Sequence, residues 1–363
     1  MSCVRIQTRA GGLRWLMARA MAASLGATLI VLGAACTSTG DKTQDKPDWV
    51  DGAAARYPAG EFLLGRGNAE TVELAQERAR ADLAKVFEIS VQVDSSDSQR
   101  ARHDGTATRY EAASEQRIVT RTDKVISGLR IAELWNAPAS EKGAAGRQHA
   151  LAVLSRGPAG KALRDEIADR DEAIRREVAR ARASNDALER AGLAARAVDL
   201  ARQRAGFEKS LRVVDLGGRG VDAPISLARL QGDLNEQLKR VALNPALLVT
   251  GPLDEAALLT VLKGAIAQAG FMAGSEPALG SAGVYAVQIR ARLDEQLIDG
   301  WHWVRGNLEL TLTDSAGRVR GSQAWPVRAS AQGARSARAR AVLEIEQLLK
   351  QELRPAILGF SAS

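Results

Sequence analysis

An uncharged run from Ala20 to Ala35, preceded by Arg5, Arg9, Arg14 and Arg19 and closed by Cys36, sets the first limit on what this chain folds into. Basic residues, a short apolar segment and small residues before a cleavage point make a secretory signal peptide, and a cysteine just past that point can accept lipid. The run is 16 residues long. A helix needs roughly 20 to span a bilayer, so a permanent transmembrane anchor is the weaker reading. Gly33 stands three residues before Cys36, where leucine is usual, and Leu32 lies one residue further back. Ordinary cleavage without lipidation is therefore the competing outcome. Either way residues 1–35 are a leader outside the fold.

Cysteine usage follows from that boundary. The chain has two cysteines, Cys3 and Cys36, and Cys3 leaves with the leader. No internal disulfide is then possible, so the folded part stands on packing alone. An exported lone thiol is a liability, and acylation of Cys36 removes it. One fatty chain holds a protein only marginally at a membrane, at roughly 0.8 kcal/mol per buried CH2, whereas several on one cysteine hold it lastingly. Thr37 follows, and by similarity to bacterial lipoproteins a residue other than Asp there implies passage to the outer membrane. Residues 36–46, mostly small and polar, read as a lipidated flexible tether.

The formal charge of +7 includes the four leader arginines, and residues 1–35 carry no acid, so about +3 remains after cleavage. Aromatic residues make up 4% of the chain. With no basic stripe carrying interleaved aromatics, no nucleic-acid partner is expected.

The folded part opens at Pro47. Glu61 to Ala69 reads as a strand containing Gly65 and Gly67. A helix follows, with Val72, Ala75, Ala79, Leu83 and Val86 on one stripe. Strand-like runs appear at Ile89 to Val93, Arg117 to Thr122, Leu129 to Trp135 and His149 to Leu154. Residues 47–156 are expected to form one α/β domain.

Several of these segments, in order, carry a family resemblance. Pro47-Asp48-Trp49-Val50, Gly65-Arg66-Gly67-Asn68-Ala69, Arg80-Ala81-Asp82-Leu83-Ala84, Ser127-Gly128-Leu129 with Trp135, and Ala150 to Arg156 together resemble the twenty-kilodalton surface lipoprotein family (LPP-twenty). That family's domain is similar to the N-terminal domain of the flagellar assembly protein T. The resemblance covers about a third of the chain. It implies an envelope protein without known catalysis, sometimes tied to motility structures, and it carries over no catalytic residues.

Beyond Gly157-Pro158, residues 157–215 read as an antiparallel helical hairpin. Leu163, Ile167, Ile174 and Val178 mark one seam, Ser184-Asn185-Asp186 a capped break, and Leu188, Leu193, Val198 and Leu200 the second helix. The seams are expected to pack on each other or on the neighbouring domain. A coiled-coil dimer is disfavoured because the heptads are short and Arg170 sits at a seam position.

Residues 216–363 are expected to form a second helix-on-sheet domain. Its elements are a helix from Ser226 to Val241, a strand from Ala246 to Thr250, a helix from Leu253 to Ala269 stopped at Gly270, and a half-buried strand from Tyr285 to Leu293. A hairpin follows, through Leu308, Leu310 and Leu312, turning at Asp314 to Gly317 and returning over Val319 to Val327. A final helix runs from Ser336 to Leu353. The fold class is thus α/β (α+β): two small helix-on-sheet domains joined by a long helical hairpin behind a lipoprotein signal peptide.

Catalytic signals are sparse. Gly65-Arg66-Gly67-Asn68-Ala69-Glu70 lacks the third glycine of a dinucleotide fingerprint and reads as a tight turn, and there is no Gly-Lys-Ser/Thr phosphate loop. His103, His149 and His302 are too scattered for a metal ligand set. Without a Gly-x-Ser-x-Gly elbow, pairs such as Asp165-Glu166 or Glu344-Glu346 read as solvated helix faces. No enzyme, cofactor or metal is expected.

Two surface features remain as interaction candidates. Trp301 and Trp303 would point the same way along a strand, opposite Leu308, although indoles bury readily and core or sheet-edge packing is the bland alternative. Arg318, Arg320, Arg328, Arg335, Arg338 and Arg340 are expected near one hairpin edge, as an anion-attracting patch or simply a solvated face. The expected role is a non-enzymatic structural or interaction module, anchored by Cys36 in the outer membrane and facing the periplasm. Its partner would be an envelope protein or the cell wall. The alternative is a regulator docking on a cell-wall synthase or on a flagellar or motility structure.

Overall fold

Strong period-two burial along Phe62–Ala69 makes the first strand, β1, and Thr71 then starts α1, Val72–Gln99. A computed structural model describes residues 45–99, 128–138, 146–274 and 283–362, with only the backbone over 87–99 and at 362. All belong to the compact unit Asp45–Ser363. The leader, Cys36 and the tether lie outside the described residues, as does the expected strand from Arg117 to Thr122.

The strand expected at Ile89 to Val93 is instead helix, the last turns of α1. Nothing between Val72 and Gln99 is Gly or Pro, so the helix has no breaker there and runs on. β2, Arg130–Asn136, and β3, Gln148–Ser155, complete an antiparallel sheet in the order β1-β3-β2. Both of its faces are covered. Leu63, Ala69, Ala150, Ala152 and Leu154 meet Ala75, Ala79 and Leu83 of α1, while Trp135, Leu151 and Val153 meet Trp49 and Tyr57 of the segment before β1.

Two helices of 28 residues follow, α2 at Arg156–Ala183 and α3 at Ala187–Val214, each about 42 Å long. Asp186 caps α3, its carboxylate accepting from the Glu189 N–H. The hairpin has no core of its own. Leu163, Ile167, Phe207, Leu211 and Val214 belong to the first sheet's core, whereas Ile174, Leu188, Ala191 and Val198 belong to the core of the C-terminal part. Between the two sets, buried Asp171 and Arg204 pair at 2.7 Å, and Arg204 also reaches Glu208 and the Val221 carbonyl at 2.8 Å each. Arg170, the seam residue that argued against a coiled coil, lies over the Phe207 ring at 5.4 Å.

The C-terminal part comprises α4 (Leu227–Lys239), β4 (Ala242–Thr250), α5 (Glu255–Gln268), β5 (Met272–Ala273), β6 (Val284–Ile298), β7 (Trp301–Asp314), β8 (Val319–Ala331) and α6 (Ala334–Gly359). Its sheet has the order β5-β4-β6-β7-β8, parallel on either side of β4 and antiparallel thereafter. Tyr285, Val287, Ile289, Ala291 and Leu293 line up with Val304, Leu308, Leu310 and Leu312 under Leu262 and Ile266 of α5 and Ile345, Leu349 and Leu353 of α6. α6 is longer than expected and contains Pro355, because Leu353 and Ile357 continue its buried stripe past that residue. Pro245 in β4 lies beyond the short pairing with β5, and Pro326 lies in the edge strand β8. Proline is tolerated at such edges and discourages edge-to-edge pairing.

Candidate interaction face

Among the described residues helices cover one side of this second sheet and not the other. Among the described residues every buried apolar side chain of β4, β6, β7 and β8 lies on the helix-facing side. The pleat therefore presents Gln288, Arg290 and Arg292 of β6, Trp303, Arg305, Asn307 and Glu309 of β7, and Arg328 of β8 on the opposite side. Trp301 and Trp303 are on this open face, opposite Leu308 as the register requires. Trp301 is 42% exposed. Trp303 is half-buried by arginines, with the Arg305 guanidinium 4.2 Å and the Arg328 guanidinium 5.5 Å from its ring. Cation–π stacking of this kind holds an indole flat against the sheet. Arg305 lies between Asp294 and Arg328 in the cross-strand register, and its Nε is buried without a hydrogen-bond partner.

The tryptophans belong to β7 itself. β6 runs to Ile298, five residues past the expected end of the strand, and joins β7 through Asp299-Gly300. Both turn residues have positive φ, 47° and 77°. Asp-Gly is a favoured pair for such a two-residue turn, and it was the sequence signal for this longer hairpin.

The six arginines do not gather into one patch. Arg318 pairs with Asp314 at 2.9 Å across the β7–β8 turn. Arg320, 11% exposed, is bound to Asp186 at 2.6 Å. Arg328 lies eight residues along β8, about 26 Å from Arg320 at the strand's rise. Near Arg328, Arg338 pairs with Glu295 at 2.7 Å, and Arg340 donates to the Ser330 carbonyl at 2.7 Å beside a shallow groove of about 310 Å³. Strand length thus separates residues that are close in sequence.

The Arg320 end is a structural joint. Burial would raise the Asp186 carboxyl, but hydrogen bonds from Arg320, the Glu189 N–H and the Tyr285 hydroxyl hold it down to about 2. Burial and the Asp186 hydrogen bond push the Tyr285 hydroxyl up to about 12. Tyr285 also accepts from the Leu188 N–H at 3.1 Å, which ties the hairpin loop to the start of β6.

In the N-terminal part, the residues that carried the family resemblance hold structure together. A Cβ at Gly65 would stand 2.3 Å from the Ala79 carbonyl oxygen, and one at Gly67 would stand 2.1 Å from that of Ala75. These glycines let α1 lie directly on β1; they stand inside the strand, so the tight turn expected over Gly65 to Glu70 is confined to Glu70-Thr71. Arg66 leaves by the other face, donating to the carbonyls of Trp49 and Gly52 at 2.8 Å each, while Asp82 accepts from its backbone N–H at 2.9 Å. The Trp49 indole donates to Glu133 at 2.8 Å. Arg156 donates to the carbonyls of Ala59, Val213 and Val214, joining the segment before β1 to the end of α3.

Residues 47–155 match the LPP20 lipoprotein family. The LPP20 match spans the three-stranded sheet, α1 and the segment that closes its second face. It supports the reading of a lipoprotein of the envelope. Two solved structures are similar to the chain. The secreted protein HP1454 from the human pathogen Helicobacter pylori is 15% identical, with 80% of this chain and 97% of that one covered at a TM-score of 0.38. A minor lipoprotein from Acinetobacter baumannii is 15% identical, with 34% and 92% covered at a TM-score of 0.25. No curated protein sequence matches the chain. Among the described residues no three His, Cys, Asp or Glu side chains form a ligand cluster, and no helix is long and apolar enough to cross a membrane.

Proposed function

We propose that this chain is a non-enzymatic interaction module, held at the periplasmic face of the outer membrane by lipid on Cys36. In this reading the LPP20-like part and the helical hairpin form a rigid mount. The open face of the C-terminal sheet is the surface offered to an envelope protein or to the cell wall. One observation carries the reading: a five-stranded sheet buries one face in the main core and leaves the other open, with Trp301 exposed and Trp303 held between two arginines. Preorganised aromatic and arginine side chains are the residue types that dominate binding energy at protein interfaces.

The anchor is tested by labelling cells with a fatty acid analogue. Wild-type protein should incorporate the label and Cys36→Ser should not; a cleaved Cys36→Ser chain should move to the soluble periplasmic fraction. Wild-type protein without label would reject the anchor. The absence of catalysis is tested on purified protein with wall fragments, esters and nucleotides, and turnover abolished by changing one polar residue would reject it.

A further inference from the structure

The β6–β7 turn gathers three large exposed apolar side chains within five residues. Leu297 is 65% exposed, Ile298 36% and Trp301 42%, all within two residues of Asp299-Gly300. A tight hairpin end in water has no need of these side chains. Here they contribute to neither core, since none belongs to a buried cluster. The projection is convex, so it is shaped to enter something rather than to receive a ligand.

We propose that this turn is a second membrane contact, which seats Leu297, Ile298 and Trp301 at the headgroup level of an anionic bilayer. The proposal deepens the envelope-lipoprotein reading and uses it only to place the protein beside a membrane. Three observations favour a lipid surface over a protein groove. Tryptophan with flanking aliphatic residues is the composition of interfacial contacts. Directly behind the apolar end lie Arg305 and Arg328, with Arg340 alongside on α6. Arginines in that position can keep their stems on the apolar surface and their charges among phosphates. The neighbouring acids are largely answered: Glu295 is bound by Arg338 and His302, and Asp294 stands opposite Arg305. Asp299 at the apex sets the orientation. A carboxylate is costly below the headgroups, so only the tip of the turn reaches that level, with Leu297 on one side of the hairpin and Ile298 and Trp301 on the other, and the rest of the open face stays clear of the bilayer.

Chain length keeps the folded part beside the bilayer. From Cys36 to Trp49 is 13 residues, at most about 45 Å fully extended, so acylated protein never moves far from the bilayer. The turn's own affinity then needs only to be modest, because the anchor makes it an intramolecular event.

The test uses the compact unit Asp45–Ser363, which lacks Cys36 and so reports on the turn whatever the fate of the anchor. It is sedimented with large vesicles of phosphatidylethanolamine and phosphatidylglycerol, and separately with phosphatidylcholine vesicles. The expected result is sedimentation with the anionic vesicles, falling by about tenfold or more in Leu297→Ser/Trp301→Ser. Arg305→Gln/Arg328→Gln should lower it while leaving the thermal midpoint close to wild type. A polarity-sensitive dye on Ile298→Cys should shift to the blue on the same vesicles. Absence of sedimentation, equal sedimentation of the serine variant, or a dye that shifts only on a protein partner would overturn the proposal. None of these outcomes touches acylation of Cys36, which the labelling experiment decides alone.

Discussion

The two sheets of this molecule solve the same burial problem differently. The N-terminal sheet, with three strands, is closed on both faces, by α1 on one side and by the segment bearing Trp49 and Tyr57 on the other. The C-terminal sheet, with five strands, is closed on one face and, among the described residues, left polar and open on the other. A small sheet cannot bury enough apolar area through one face, whereas the larger one shares its core with three further helices and part of the hairpin. The difference teaches where function can reside. In the N-terminal part distinctive residues such as Arg66, Gly67 and Arg156 are consumed by the fold, and in the second sheet the structure leaves tryptophans and arginines available.

The hairpin makes the comparison breakable, because it feeds both cores. Asp171→Ala would leave Arg204 buried with Glu208 and the Val221 carbonyl as its remaining partners, at the junction of the two, and should cost about 3 kcal/mol. Urea unfolding followed by circular dichroism should show both parts losing stability together. Loss confined to one part would mean that the cores are independent. Gly67→Val is the next largest effect. Its Cβ meets backbone, which cannot move aside as a side chain can, so about 3 kcal/mol is expected. It should fall on the N-terminal part and spare the tryptophan environment of the open face, as read by near-ultraviolet dichroism.

The joint at Asp186 gives a smaller, pH-dependent effect. Its carboxyl is held at about 2, below its ordinary 3.8, so the stability it adds is complete above about pH 4 and is lost as pH falls through 2. Allowing for its partial exposure, this amounts to about 1 kcal/mol. Asp186→Asn should flatten that part of the acid limb. Tyr285 acts in the opposite direction: raised to about 12 from 10, it adds stability below pH 10 that is lost as pH rises towards 12. The smallest effects belong to the open face. Asn307→Ala and Trp301→Ser should change stability by no more than about 0.5 kcal/mol, because neither residue is buried.

Much of the fold was legible in the sequence. The stripe through Ala75, Ala79 and Leu83, the capped break at Asp186 and the alternation from Tyr285 to Leu293 each mark an element by its period, and period is a local property. The misses were long-range. Ile89 to Val93 has strand-like composition but lies downstream of a helix that nothing stops. Asp299-Gly300 suits the β6–β7 turn, yet Glu295 broke the apolar alternation because it faces Arg338 at the start of α6 where the pattern called for an apolar residue. For the candidate site, the tryptophan direction followed from the pleat. The arginine patch did not, since Arg320 is claimed by Asp186, 134 residues away, a partner no local pattern reveals.

The measurement that bears most directly on the contrast between the sheets is site-specific photocrosslinking in intact cells, with the reactive residue placed in turn at Asn307 on the open face and at Leu74, an exposed position on α1. Capture of an envelope protein or wall material from Asn307 and none from Leu74 is the expected result. Capture from Leu74 alone would place the working surface on the closed N-terminal part and contradict the account.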